Sequence, residues 1–193
     1  MKELDGDVDP DRLYDALFMR EKGISAAILE FEALAEQGSS LAMGVLGDIY
    51  LYGRHDVPMD EQKGEELTRK ASQLGSIESA YRLACFFDYK QRHAEAFSLY
   101  EDLGKRGFTP ALYRLGWSYS EGRWVGQDRT RARDYFVTAY KGGHLLAQQK
   151  LSFDLRHSPK LSDKLYGLYL LITLVIPRAR QYHRQPLSDR LRD

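Results

Sequence analysis

The side chains able to do chemistry are present in this chain, but not at spacings that let them cooperate. The five histidines, His55, His93, His144, His157 and His183, are scattered. None stands in H-E-x-x-H and no two lie four residues apart, so no helix face offers a metal-ligand pair. The single cysteine, Cys85, cannot build a thiolate cluster, and as a nucleophile it would need a base beside it that the sequence does not supply. The G-x-S-x-G elbow, the phosphate loop G-x-x-x-x-G-K and the dinucleotide fingerprint are all absent. Adjacent carboxylates such as Asp60–Glu61 and Glu65–Glu66 suit solvated helix faces and first-turn positions. The expectation is a protein that is not an enzyme and uses no metal or cofactor.

Charge offers a second kind of chemistry. Residues 1–96 hold 11 Lys/Arg against 19 Asp/Glu, and residues 97–193 hold 17 against 9, so the halves carry about −8 and +8 in a chain of net charge zero. Such a polarity either orients partners at low salt or reflects solvated helix faces. A neutral chain lacks the positive balance that nucleic-acid binding needs. The arginines at 129, 131 and 133 alternate around a helix start without forming one stripe, and Asp128 and Asp134 stand ready to pair with them.

The 193 residues, 43% of them hydrophobic, are enough for one domain or a continuous solenoid with a core. One cysteine excludes an intrachain disulfide and suits a reducing compartment. The first seven residues, Met-Lys-Glu-Leu-Asp-Gly-Asp, form no apolar leader. The longest apolar run, 165–176, has 12 residues, short of the ~20 that cross a bilayer. These features lead to the expectation of a soluble, cytoplasmic protein without membrane insertion.

The elements that position these side chains come from a repeat. A small residue is followed five positions later by another and eight later by an aromatic or leucine, at Ala42–Gly47–Tyr50, Ser79–Ala84–Phe87, Ala111–Gly116–Tyr119 and Ala147–Ser152–Leu155. The copies start 37, 32 and 36 residues apart, and Gly38, Gly75, Gly107 and Gly143 keep the same intervals. A period in this range marks a helical repeat array. Each repeat reads as two helices. The small residues of the first allow close approach, and Gly53 and Gly122 end it. The second carries a stripe of small and medium residues seven apart: Ala27 and Leu34, Gly64 and Ala71, Ala96 and Leu103, Ala132 and Ala139. Asp60, Asp128 and Asp163 precede second helices as caps or first-turn charges. No strand-like alternation competes, so the expected class is all-α.

The segment Ala111-Leu-Tyr-Arg-Leu-Gly-Trp-Ser-Tyr-Ser-Glu-Gly122, continued by Val125, Asp128 and Ala132, resembles a Sel1-like repeat, a relative of the tetratricopeptide repeat abundant in bacteria. Its pattern A-x-x-x-L-G-x-x-Y-x-x-G-x-x-V-x-x-D-x-x-x-A is met at every fixed position. Residues 42–64 follow it with one extra linker residue and Gly64 in place of Ala. Residues 79–96 lack the linker and are closer to a plain tetratricopeptide unit. The resemblance covers about residues 25–176. It implies a right-handed superhelix of antiparallel helix pairs, repeats at 11–38, 40–76, 77–108, 109–144 and 145–176, and a concave face that binds protein. Residues 1–10 would be a disordered acidic start, Arg12–Lys22 a weak leading helix, and 177–193 a basic cap or tail.

By analogy with tetratricopeptide arrays, the groove would be lined by Gly44, Asp48, Leu51 and Tyr52; by Tyr81, Cys85, Asp88 and Tyr89; by Tyr113, Trp117, Ser120 and Glu121; and by Gln149, Phe153, Arg156 and His157. The set is rich in aromatics, the usual anchors of binding hot spots. Either these pack between repeats or they form an exposed stripe, with Trp117 its centre. The expected function is an adaptor that binds a protein or peptide. The alternatives are an inhibitor or immunity-type protein that blocks one enzyme, and a non-catalytic regulatory subunit of a biosynthetic or cell-envelope system. The run 165–176 is apolar on all sides. It must be covered on the side away from its own repeat, by residues 177–193 folding back or by a second protein, a homodimer included.

Overall fold

The computed structural model describes residues 24–55 and 57–184, and side chains from 25 to 175 within them. The acidic start, the leading helix at 12–22 and residues 185–193 lie outside the described residues. Every regular element among the described residues is an α-helix: α1 Ile24–Glu36, α2 Ser40–Tyr52, α3 Glu61–Gln73, α4 Ile77–Tyr89, α5 His93–Lys105, α6 Thr109–Glu121, α7 Arg129–Lys141, α8 Leu145–Arg156 and α9 Leu161–Arg184. The fold is an all-α helical repeat of the solenoid class.

Local chemistry sets the helix ends. Ser39 accepts from the Ala42 amide at 3.2 Å and Asp60 from that of Lys63 at 2.9 Å. Asp128 accepts from Thr130 and Arg131, each at 3.0 Å. These contacts satisfy amides that the first turn leaves unpaired. Asp163 lies inside the first turn of α9 and receives the Ser158 hydroxyl at 2.7 Å. At the other ends, Gly53 and Gly122 close α2 and α6 in the left-handed region, at φ 61° and 68°. In place of a linker, α4 and α5 are joined by a three-residue turn, with Gln91 at φ 61°.

The chain divides into two compact units, Met1–Leu103 and Gly104–Asp193. In the first, α2 packs between α1 and α3, and α4 lies on α3. Phe31, Leu34, Ala42 and Leu46 form one buried cluster there. Gly47 and Gly64 bring α2 and α3 so close that a methyl on Gly64 would stand 2.6 Å from the Leu51 nitrogen. Leu51 leans into that space and is 1% exposed. Gly44 is buried as well, its missing side chain aimed at Ser79. The groove positions expected for Gly44 and Leu51 are therefore corrected to core. Arg92 lies 4.0 Å over the Phe87 ring and bridges Glu65 and Glu95 at 2.5 and 2.6 Å. Its guanidinium holds both carboxyls below their ordinary range.

In the second unit α6 packs on α7, α7 on α8 and α8 on α9. Phe136, 1% exposed, fills the space beside Gly116; burying such a ring stabilises by about 2–3 kcal/mol. Polar groups clasp α8 to α9. Ser152 donates to the Gly167 carbonyl at 2.8 Å, and Gln148 donates to the Leu170 carbonyl and the Thr173 hydroxyl, each at 2.9 Å. Helix α9 runs past Pro177 to Arg184, so residues 177–184 do not fold back over it. A chain already in helical register continues along its axis instead of reversing.

Candidate protein-binding surface

Helices α6 and α8 build the richest surface of the second unit. The helical period places Tyr113 and Trp117 one turn apart on α6, and their rings meet edge to face at 6.3 Å. Trp117 also meets the buried Phe136 ring edge-on at 6.2 Å, so its indole is anchored on the core and is itself half-buried. Lys150, from α8, sets its ammonium 4.9 Å from the Trp117 ring centre and 6.0 Å from that of Phe153. The same ammonium pairs with Asp154 at 3.0 Å. Phe153 is 53% exposed and lies 4.3 Å from the His157 ring. At the opposite end of the row, Tyr113 stacks on His144 at 4.6 Å.

His144 has a structural duty as well. Its Nδ1 caps α8 by accepting from the Ala147 amide at 3.3 Å, which requires the neutral ring. Burial lowers its pKa below the ordinary 6.5, in the direction the cap needs.

Beside the aromatic row lies a cavity of about 690 Å³. Its walls come from the end of α6, the start of α7 and the end of α8, and they include Glu121, Arg129, Arg133, Lys150, Asp154 and His157. Arg129 and Arg133 stand one turn apart and share this cavity, while Arg131 points elsewhere, to Asp128 at 3.4 Å and the Tyr119 hydroxyl at 3.4 Å. Among the described residues neither Arg129 nor Arg133 forms an ion pair. The sequence expectation of local pairing with Asp128 and Asp134 thus holds for Arg131 and Asp128 alone.

The expected groove residues fall into two groups. In the second unit, Tyr113, Trp117 and Phe153 gather into the row, Glu121 lines the cavity beside it, and Gln149 and Arg156 are exposed on α8, with Arg156 donating to the Ser152 carbonyl at 3.3 Å. In the first unit, Tyr52 is 38% exposed and meets Phe86 edge-on at 6.3 Å. Burial, then the neighbouring Cys85 and Asp48, raises its phenol pKa. Asp48 pairs with Arg54 at 2.8 Å. Tyr81 packs on Tyr100 at 5.9 Å, and the Tyr100 hydroxyl donates to the Cys85 sulfur at 3.4 Å. Tyr89, 73% exposed, projects into solvent. Sequence reasoning missed Lys150, His144 and the Arg129–Arg133 pair. Only that pair had a local signal, its spacing of four. Among the described residues no group of His, Cys, Asp and Glu is arranged to hold a metal, and no helix is long and apolar enough to cross a membrane.

Residues 40–76 and 109–144 match the Sel1 repeat model. The chain is similar to the crystal structure of c5321, a protective antigen of uropathogenic Escherichia coli strains displaying an SLR fold, with a TM-score of 0.67 and 25% identity over 75% of this chain and 32% of the other. It thus spans about a third of that protein's length. A Sel1 repeat protein from Oxalobacter formigenes superposes with a TM-score of 0.72 at 20% identity, covering 84% of this chain and 74% of that one. The Pseudomonas aeruginosa immunity protein PA5088 reaches 0.48 at 17% identity over 96% and 90% of the two chains, too loose a likeness to carry an argument. No curated protein matches the chain. The chain thus carries Sel1-like repeats at 40–76 and 109–144 and shares a helical-repeat fold with solved Sel1 repeat structures.

Proposed function

We propose that this chain is a non-enzymatic, cytoplasmic adaptor of bacterial type that binds another protein through the Tyr113–Trp117–Phe153 row and the cavity beside it. One observation carries this reading. The row leaves a Phe 53% exposed and a Trp only partly buried beneath a lysine, although both rings would be more stable covered. Rigid aromatics beside cations are what binding hot spots use, because they bury large area at small entropy cost. The guanidinium groups of Arg129 and Arg133 in the cavity, which form no ion pair among the described residues, would receive carboxylates of the bound segment. Sel1 repeats are scaffolds of the kind that bind proteins, which supports the coarser part of the reading.

Affinity capture from native lysate tests it, with the chain immobilised as wild type and as a Trp117→Ala/Phe153→Ala variant. The proposal expects at least one stoichiometric partner that the variant loses. An enzyme as the sole partner, inactive when bound, would replace the adaptor reading with the inhibitor one. A partner retained equally by the variant would remove the surface from consideration.

A further inference from the structure

Helix α9 is two-sided. Gly167, Leu170 and Leu174 face α8 and are buried. A methyl on Gly167 would stand 2.9 Å from the Arg156 nitrogen and from the Leu155 Cβ, so this contact is as close as helices reach. That fixes the rotation of the helix and decides what its other side shows.

The other side presents Leu161, Leu165, Leu168, Ile172 and Val175, which are between 45% and 71% exposed. Their separations run four, three, four, three. That is a heptad seam, the spacing by which one helix packs along another. No charged residue interrupts it. Tyr169, 56% exposed, borders it on one side, its ring stacked at 6.1 Å on that of Tyr166.

We infer that this seam is the interface of a symmetric homodimer, the α9 of one copy lying along the α9 of a second. Two arguments select a second copy. At roughly 100 Å² per half-exposed large side chain, the seam and Tyr169 offer about 600 Å² per copy, within the ~600–1,000 Å² that each partner contributes to a standard interface. A seam of Leu, Ile and Val alone is also complementary to itself, as an isologous contact requires. The residues 185–193 of this chain bring only Leu187 and Leu191 against five seam positions. This contact uses α9 and not the aromatic row, so it stands or falls apart from the proposed binding function.

Sedimentation or light scattering across a concentration series tests it on the whole chain. The expected mass is twice the 22.2 kDa of one copy. Leu168→Glu/Ile172→Glu should halve that mass while leaving the thermal midpoint of the dilute protein unchanged, and Trp117→Ala should leave the mass at the dimer value. A wild-type chain that stays monomeric at every concentration overturns the inference, whatever the variant does. So does a Leu168→Glu/Ile172→Glu chain that remains dimeric. A chain that dimerises only after residues 185–193 are removed overturns it too, and assigns the seam to that segment.

Discussion

The ammonium of Lys150 stands 4.9 Å from the centre of the Trp117 ring while holding Asp154 at 3.0 Å. The contact joins α6 to α8 across 33 residues of sequence and leaves the indole half-buried. An ammonium over an indole face is worth about 0.5–1 kcal/mol at a partly exposed site. Lys150→Ala should therefore lower stability by no more than about 1 kcal/mol and expose Trp117, seen as a red shift in tryptophan emission. An unchanged spectrum would mean that the lysine does not cover the ring in solution.

Position 64 separates two opposed effects of one methyl group. Glycine to alanine inside a helix ordinarily gains about 0.5–1 kcal/mol, and alanine is the residue found at the matching places Ala96 and Ala132. Here the added carbon would stand 2.6 Å from the Leu51 nitrogen and 2.8 Å from its Cγ. Overpacking of that kind costs about 1–3 kcal/mol, so the clash wins. Gly64→Ala should lower the midpoint of urea unfolding; a raised midpoint would show that α2 and α3 can part without penalty.

The pH dependence of stability should carry the mark of His144. Its folded pKa lies below the ordinary 6.5 because burial disfavours the charged ring. The unfolded chain therefore binds the proton first as pH falls, and stability drops from about 6.5 downward until the folded value is passed. Above that window the contribution is complete. Protonation also turns Nδ1 from acceptor to donor and removes the cap on Ala147. His144→Asn keeps a capping acceptor without the titration, so its thermal midpoint should fall less than that of the wild type between about pH 7 and pH 5.5. Parallel declines would remove His144 from the account.

What was legible in the sequence was whatever one residue type must do locally. Gly38, Gly75, Gly107 and Gly143 take positive φ, between 79° and 96° at three of them and 100° at Gly75, and a left-handed turn leaves glycine as its signature. Buried Ala42, Ser79, Ala111 and Ala147 show the close contacts that small residues permit. Geometry set by tertiary contact was not legible. Leu51 occupies a groove register but turns inward, because Gly64 leaves room for it. Arg131 parts from Arg129 and Arg133 because a helix turns about 100° per residue, which places 129 and 133 on one face and 131 on the other. The run 165–176 reads as apolar all round, and its packing on α8 through Gly167, Leu170 and Leu174 decides which half is core.

The central claim is that the aromatic row of α6 and α8 binds a protein. Its most direct test is the quantity of partner captured from native lysate by wild type and by Trp117→Ala/Phe153→Ala, both shown to be folded by circular dichroism. Loss of two hot-spot aromatics costs about 2 kcal/mol or more, so capture by the variant should fall at least about tenfold. Equal capture by the two folded proteins would contradict the claim.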